Sequence, residues 1–158
     1  GSAQTGVDAM IAARSSQAFL GIDHFGQTSV IHTSGNPDGH LVLRGGRSGP
    51  NFGAKAIAEA HHLLEAAGVR PQLLVDCSHG NSEKDHTRQP VVFKDLIQQR
   101  SSNEGIAGLM LESHLSEGNQ SLGDDPSKLE YGVSITDACI GWEQTHEIIR
   151  DAYGELRG

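Results

Sequence analysis

Three short apolar runs, each followed by a loop and a helical pattern, constrain the fold of this chain most strongly. The runs are HLVLRGG at 40–46, QLLVDCSH at 72–79 and IAGLMLE at 106–112. Continuous apolar strands that alternate with helices are typical of a parallel sheet covered by helices. Helices are predicted over 54–68, where Gly68 is the expected C-terminal stop, from about Pro90 onward, and over about 135–156. The pattern therefore predicts an α/β fold with parallel strands.

The segment before the first of these runs predicts a helix and a hairpin. The apolar residues of TGVDAMIAAR have helical spacing, so the chain is expected to open with a helix over residues 5–14. The β-prone runs AFLGID and TSVIHT follow, joined by HFGQ, whose Gly26 suits a turn. We therefore predict an inserted β-hairpin at about 18–33. No linker divides the chain, so residues 1–158 are expected to form a single domain.

The composition limits the partners and the compartment. The 158 residues include 20 acidic and 12 basic side chains, which give a formal net charge of −8 at pH 7. Nucleic acids and anionic membranes attract basic surfaces, so neither is expected as a partner, whereas a small anionic ligand is compatible with local cations. Cys77 and Cys139 are too few for a disulfide framework, and no stretch reaches the roughly 18 apolar residues of a membrane span. These features predict a soluble, cytoplasmic protein.

Polar residues occupy the points where the apolar runs stop. Arg44, His79 and Glu112 each come at the end of such a run. The carboxyl ends of parallel strands meet at one edge of a sheet or one mouth of a barrel, where active sites form. Asp137, expected at the start of the last helix, would be carried to the same mouth. A buried carboxylate without a partner is strongly disfavoured, so Glu112 should be paired, hydrogen bonded, bound to a cation or exposed.

Two interpretations of these residues remain open at this point. His79, Glu112 and Asp137 offer one nitrogen and two carboxylates, which suit a divalent ion such as manganese, iron, cobalt or zinc. Strand-end carboxylates also cap helices or pair with arginines, an isolated His is often structural, and the three residues match no short metal motif. Arg44, followed by two glycines, suits either a ligand phosphate or carboxylate, or an ion pair with a nearby acid.

Four longer segments resemble one known family. TSGNPDGHLVLRGG, LLVDCSHGNSEKD, GLMLESHLSEGNQSL and YGVSITDACIGWE are similar, in this order, to the carboxyl-terminal part of the type I 3-deoxy-D-arabino-heptulosonate 7-phosphate (DAHP) synthases. The resemblance runs from about residue 1 to residue 156. It implies about three βα units plus the inserted hairpin of a (β/α)₈ TIM barrel. It also implies the first reaction of the shikimate pathway, in which phosphoenolpyruvate condenses with erythrose 4-phosphate.

The resemblance implies roles for individual residues. The metal-binding His, Glu and Asp of the family fall on His79, Glu112 and Asp137, and the Arg that contacts the phosphate of phosphoenolpyruvate falls on Arg44. The implied divalent metal is a Lewis acid for the aldehyde of erythrose 4-phosphate. Phosphoenolpyruvate would attack through C3, water would add at C2, and phosphate would leave.

The predicted hairpin corresponds to an insertion that, in the same family, helps to form the pocket for a feedback inhibitor. The matching positions are Phe19, Gly21 and Ile31. Tyrosine-sensitive members tend to have Gly, and phenylalanine-sensitive members Ser, at the position of Gly21. The resemblance therefore implies tyrosine as an inhibitor, while a strand bulge is the structural alternative for this glycine.

Several parts of the family pattern have no counterpart in this chain. The metal-binding Cys, the lysines and arginines that hold the substrates and the K-P-R-T motif lie in earlier strands, and neither Cys77 nor Cys139 matches that Cys. A full barrel takes about 250 residues. We therefore expect the 158-residue chain to be inactive alone and to need a missing amino-terminal part or another copy of itself. The alternative is a truncated, non-catalytic relative that binds a ligand or a full-length synthase.

Overall fold

Three parallel strands backed by helices form the centre of the protein. The computed structural model describes residues 2–103 and 105–157. The helices are α1 (Ala3–Arg14), α2 (Ala54–Ala66), α3 (Gln89–Arg100) and α4 (Trp142–Arg157), and the strands are β1 (Gln17–Ile22), β2 (Thr28–Thr33), β3 (Leu41–Leu43), β4 (Leu73–Asp76) and β5 (Ile106–Met110). Short 3₁₀ helices cover His86–Arg88 and Pro126–Lys128. The α/β class expected from the sequence is confirmed.

The strands form two separate sheets. β3, β4 and β5 pair in parallel and in that order, with Leu43 opposite Val75 and Val75 opposite Leu109. β1 and β2 form an antiparallel hairpin in which Phe19 lies opposite Ile31. The parallel sheet and the hairpin are both as predicted. The parallel order brings the carboxyl ends of β3, β4 and β5 side by side.

The hydrophobic core lies between the parallel sheet and its helices. Many of its members come from alternate strand positions and from the inner faces of α2 and α3, among them Leu41, Leu43, Leu73, Val75, Ile57, Leu64, Val92 and Leu96. Full burial of one such side chain contributes about 1.5–3 kcal/mol. On the other face of the sheet Val42 and Met110 are 36% and 42% exposed. The apolar run Leu109 to Leu111 predicts a buried strand, but Leu109 and Leu111 are only partly buried and Met110 is exposed. Met110 is exposed because the helices cover only one face of the sheet.

Two helix termini follow their sequence signals. α3 has Pro90 in its first turn. Backbone N–H groups in the first turn have no partner within the helix, so the missing N–H of proline costs no helical hydrogen bond. After α2, the N–H groups of Gly68 and Val69 donate to the carbonyls of Glu65 and Leu64, both at 2.9 Å. This is the Schellman arrangement, and it needs the positive φ of 65° that Gly68 adopts. Gly68 therefore ends α2 as predicted.

The last helix begins later than predicted. α4 starts at Trp142 and not near Ile135, so Asp137 lies in the preceding loop and not in a first helical turn. The backbone of this loop is hydrogen bonded to the residues after β5; the N–H of Ile140, for example, donates to the carbonyl of Glu112 at 3.0 Å. Such long-range pairing uses the backbone groups that a helix would need, so the local helical pattern is overridden.

Apolar side chains remain exposed outside the core as well. On one face of the hairpin they are Leu20, Ile22 and Val30, and on one side of α4 they are Trp142, Ile149, Tyr153 and Leu156. Contiguous exposed apolar surface is typical of protein contact sites. It is not membrane-spanning surface on a helix, because every helix in residues 2–103 and 105–157 is too short or too polar to cross a bilayer.

Gly45 should be a strong determinant of stability. It has a φ of 74°, and a Cβ added there would lie 2.5 Å from the carbonyl carbon of Gly80 in the loop after β4. We expect Gly45→Ala to lower the free energy of unfolding by more than about 2 kcal/mol, because backbone strain and a backbone clash combine. Chemical denaturation measures this change.

Gly26→Ala is the matched control for Gly45→Ala. Gly26 has a φ of 80°, but an added Cβ would have no atom within 4 Å. Only the left-handed strain of about 1–2 kcal/mol is then expected. Equal losses in the two variants would mean that the close approach of Gly45 to Gly80 contributes nothing.

Candidate metal centre

His79, Glu112 and Asp137 come together at the carboxyl ends of the parallel strands. His79 follows β4 and Glu112 follows β5. His79 Nε2 is 3.4 Å from Glu112 Oε1 and 3.6 Å from Asp137 Oδ2. One donor atom from each residue lies within 4.8 Å of the other two. The three residues singled out in the sequence thus form one cluster, although Asp137 reaches it from a loop.

Asp76 orients the imidazole of His79. His79 Nδ1 is 2.7 Å from Asp76 Oδ2, and Asp76 Oδ1 accepts the N–H of Ser78 at 2.8 Å. Asp76 is only 2% exposed, so these contacts replace its hydration. An ionised carboxylate can only accept hydrogen bonds, which assigns the ring proton to Nδ1. The lone pair of Nε2 is then left for the side where Glu112 and Asp137 lie.

The carboxylate of Glu112 has a partner of its own. Ser78 Oγ donates a hydrogen bond to Glu112 Oε2, and Oε1 is left on the side of His79. The Glu112 side chain is 28% exposed, so solvent also reaches it. The carboxylate at the end of a buried strand is therefore hydrogen bonded and partly hydrated, two of the outcomes expected for it.

The backbone of Glu112 is held by the side chain of Gln89. Gln89 Oε1 accepts the N–H of Glu112 at 2.8 Å, and Gln89 Nε2 donates to the carbonyl of Glu112 at 3.1 Å. Gln89 is 0% exposed and is the first residue of α3. Sequence reasoning missed it, because a lone glutamine next to a proline matches no site motif. Its only signal is a polar residue in the first turn of a helix that follows the His79 loop.

A second buried amide, Asn81, connects the ends of β3 and β4. Asn81 Nδ2 donates to the carbonyls of Leu43 at 3.1 Å and Asp76 at 2.7 Å. Asn81 Oδ1 accepts the N–H of Asn51 at 2.8 Å. Asn81 was also missed from the sequence, since two of its three partners, Leu43 and Asn51, are 38 and 30 residues away along the chain. Its three bonds fix the two strand ends relative to each other.

Arg44 lies next to the loop that carries His79. Its carbonyl accepts the N–H of Gly80 at 3.1 Å, so the backbones after β3 and β4 touch. Its side chain is exposed. Among residues 2–103 and 105–157, no carboxylate oxygen lies within 4.0 Å of its guanidinium. The described part of the chain thus gives no support to the ion-pair interpretation of Arg44.

Both cysteines are buried, as expected for small core residues. Cys77 and Cys139 are 0% and 9% exposed. Burial raises the pKa of the Cys77 thiol to about 12, and the negative charge of Asp76 adds to this effect. Burial also raises the pKa of the Cys139 thiol. Both groups are therefore neutral thiols at physiological pH.

Phe19, Gly21 and Ile31 share one face of the hairpin. Phe19 lies opposite Ile31 in the antiparallel ladder, and Gly21 is two residues beyond Phe19 on the same strand. A Cβ added to Gly21 would lie 2.7 Å from Ile31 Cγ1 and 3.5 Å from Phe19 Cε2. The strand pairing is regular across Gly21, so it is not a bulge. Its missing side chain allows Ile31 Cγ1 to pack closely over the backbone of this glycine.

Comparison with known proteins points to one family. The family model described as the DAHP synthetase I family matches residues 1–150. A Tyr-sensitive phospho-2-dehydro-3-deoxyheptonate aldolase of Enterobacter agglomerans is 48% identical over 159 aligned residues, which cover 100% of this chain and 74% of that relative. The Tyr-sensitive aldolase of Escherichia coli strain K12 is 47% identical, with 100% of this chain and 44% of that relative covered.

A solved structure has the same fold. Phospho-2-dehydro-3-deoxyheptonate aldolase from Francisella tularensis SCHU S4 matches with a TM-score of 0.91 and 38% sequence identity, over 99% of this chain and 46% of that one. The chain therefore spans less than half the length of the Escherichia coli relative and of the solved chain. With a family match that extends over most of its residues, this chain belongs to the DAHP synthetase I family.

Proposed function

We propose that this chain is the carboxyl-terminal part of a DAHP synthase, which condenses phosphoenolpyruvate with erythrose 4-phosphate in the first step of the shikimate pathway. The observation that carries the proposal is the cluster of His79, Glu112 and Asp137 at the strand ends of a DAHP synthetase I family member. The names of its relatives support the same activity. Residues 1–158 would form one partial-barrel domain, about three βα units of a (β/α)₈ TIM barrel with the hairpin at about 18–33.

The clustered side chains fit a divalent metal ion. One imidazole nitrogen and two carboxylates suit manganese, iron, cobalt or zinc. His79 would bind through Nε2, because Nδ1 is engaged by Asp76, and Glu112 through Oε1, because Ser78 engages Oε2. When bound, the ion would supply Lewis-acid polarisation of the aldehyde oxygen of erythrose 4-phosphate. Asp76 would keep the His79 ring in its binding tautomer throughout.

Arg44 would hold phosphoenolpyruvate beside this centre. The chain has a formal net charge of −8, so an anionic substrate needs a local cation at the strand ends. The guanidinium is exposed, and its planar fork matches the oxygens of a phosphate group. The bond from Gly80 to the Arg44 carbonyl would fix the root of the side chain near His79. This would orient C3 of phosphoenolpyruvate toward the aldehyde.

The open face of the sheet supports a partial barrel that needs a partner. In the described residues β3 and β5 are the outer strands of the parallel sheet. Val42 on β3 and Met110 on β5 are partly exposed on its open face. Unpaired strand edges and exposed apolar surface favour association. We propose that an amino-terminal part of the barrel, or a second copy, covers this face in the cytoplasm. Robust synthase turnover by a sample whose intact mass is 16.8 kDa would contradict this part of the proposal.

Substitution of the candidate ligands tests the function. We expect His79→Ala and Glu112→Gln to weaken Mn²⁺ binding by more than about 100-fold, since even residues behind a metal ligand contribute about 10–100-fold. In the complete enzyme, formation of the heptulosonate product from phosphoenolpyruvate and erythrose 4-phosphate should fall together with metal binding. The measurements are Mn²⁺ titration by electron paramagnetic resonance and a product assay, after the intact mass of the sample has been recorded.

His114→Ala and Glu117→Gln are matched controls for this test. Both residues lie in the loop after Glu112 and are exposed, and neither belongs to the cluster. They should leave Mn²⁺ affinity within about twofold of the parent protein. Unchanged metal binding in both His79→Ala and Glu112→Gln would refute the metal centre.

The role of Arg44 can be tested against a neighbouring arginine. Arg44→Ala should raise the KM for phosphoenolpyruvate by about 10–100-fold, because a charge-assisted hydrogen bond contributes about 1.5–3 kcal/mol. Arg47→Ala is the control, since Arg47 is also exposed and lies three residues further along the same loop. Steady-state kinetics of the complete enzyme measure both effects. A fall in thermal stability with an unchanged KM would make Arg44 a structural residue instead.

We further propose that tyrosine inhibits the protein through the face of the hairpin formed by Phe19, Gly21 and Ile31. In the complete enzyme, Gly21→Ser should raise the tyrosine concentration for half-inhibition by about tenfold or more, because the new Cβ would lie 2.7 Å from Ile31 Cγ1 and displace the Ile31 side chain on this face. Leu20→Ala, on the opposite face, is the control. The measurement is synthase activity over a range of tyrosine concentrations. Equal half-inhibition concentrations for the parent and Gly21→Ser would exclude this face as the effector site.

A further inference from the structure

We infer that Gln89 is a positioning residue for Glu112, and that its amide sets the geometry and affinity of the metal centre without touching the metal. This inference rests on the proposed metal-dependent function. Gln89 is fully buried and belongs to α3, whereas Glu112 lies beyond the end of β5. Two hydrogen bonds join the Gln89 side chain to the backbone of Glu112.

The Gln89 amide forms the two backbone hydrogen bonds to Glu112 that a neighbouring strand would otherwise form. Regular pairing between β4 and β5 ends where Asp76 lies opposite Met110, and the last bond is from Cys77 N–H to the Met110 carbonyl at 2.9 Å. Glu112 therefore lies beyond the ladder. Gln89 Oε1 accepts its N–H at 2.8 Å and Gln89 Nε2 donates to its carbonyl at 3.1 Å, as a paired peptide group would.

A fixed backbone at Glu112 matters because its side chain has three rotatable bonds. The Ser78 hydroxyl restrains one end of this side chain, at Oε2, and the Gln89 amide restrains the other, at the backbone. With both ends held, Oε1 has a restricted range of positions beside His79 Nε2. Ligand atoms held in a narrow range bind a metal more tightly, since less conformational freedom is lost.

The same backbone group connects to the loop of Asp137. The carbonyl of Glu112 accepts a second hydrogen bond, from the N–H of Ile140 at 3.0 Å, and the N–H of His114 returns a bond to the Ile140 carbonyl at 3.0 Å. Ile140 is three residues after Asp137. Gln89 therefore stabilises the peptide group that joins the strand-end ligand to the loop ligand.

Gln99 provides a matched comparison on the same helix. Its Nε2 donates to the carbonyl of Phe52 at 3.1 Å and to Asp95 Oδ2 at 2.6 Å, so it too uses its amide to hold a loop backbone. Neither of these partners belongs to the ligand cluster. Gln99 is only partly buried, but a purely structural role for an amide that holds a loop backbone would make Gln89 and Gln99 behave alike.

The test replaces each amide with an apolar side chain of similar length, in the protein at its native length. Gln89→Met should weaken binding of Mn²⁺ alone by about 10–100-fold, the range found for residues that orient metal ligands. It should also change the visible absorption spectrum of the Co²⁺-loaded protein, which reports ligand geometry. Gln99→Met should leave both readouts within about twofold of the parent, even if both variants unfold at a lower temperature.

Defined outcomes overturn the inference. Mn²⁺ affinity within twofold of the parent in folded Gln89→Met, or an equal loss in Gln99→Met, would assign Gln89 a structural role only. If Gln89→Met does not fold, Gln89→Asn decides, because it keeps the amide but is one methylene too short to reach both backbone atoms. Failure of both variants to fold would likewise count against a specific positioning role.

The result is also separable from a failure of the proposed function. If His79→Ala and Glu112→Gln bind Mn²⁺ as the parent does, the metal centre itself is refuted. If those two variants lose Mn²⁺ while Gln89→Met keeps it, only the positioning role of Gln89 is refuted.

Discussion

Parallel pairing of β4 with β3 and β5 is the constraint on which the rest of the structure depends. It brings three strand ends to one edge, so that Arg44, His79 and Glu112, far apart in the chain, follow neighbouring strands. The register matters as much as the direction. A slip of one residue in β4 would exchange its two faces and turn Asp76 toward the helices, away from His79. The large apolar side chains of β4, Leu73 and Val75, pack against the helices and oppose such a slip.

Once the strands are aligned, buried polar groups fix the loops that leave them. Asp76, Asn81 and Gln89 are nearly or fully buried, and each forms at least two hydrogen bonds near a strand end. Among the described residues, every buried polar side-chain atom has a partner. Leaving such a group unpaired costs about 1–3 kcal/mol, so the network is stable only with the loops in one arrangement. The apolar core fixes the register of the sheet, and the buried polar network fixes the positions of the loops that form the candidate site.

The sequence predicts those features that depend on local pattern. Apolar runs identify β3, β4 and β5, Gly68 and Pro90 mark helix ends, and the position of His79 and Glu112 after two runs predicts that they meet. Features that depend on distant partners escape prediction. The start of α4 is misplaced because the loop before it pairs with the residues after β5, and the roles of two amides are missed because their partners are backbone groups of other elements.

The solvent exposure of a side chain also depends on which other elements pack against its own strand or helix. The apolar run that ends β5 predicts burial, yet Met110 is 42% exposed because helices cover only one face of the sheet. The run is as expected for a strand with apolar neighbours on both faces, as in a barrel. The exposure of Met110 agrees with the proposal that another part of a barrel, or a second copy, covers this face.

The elements that hold the candidate ligands and the elements that would complete a catalytic site are different. His79 and Glu112 are oriented by Asp76, Ser78 and Gln89, all of which lie within the β4 to β5 part of the described chain. Substrate binding has far less support, since Arg44 is the single cation assigned to it in a chain of net charge −8. Under the proposed function, two phosphorylated substrates would need more positive charge than one guanidinium supplies. Metal binding and turnover would then be separable properties. The residues that would orient the metal ligands lie in this part of the fold, whereas turnover would depend on cations from outside it.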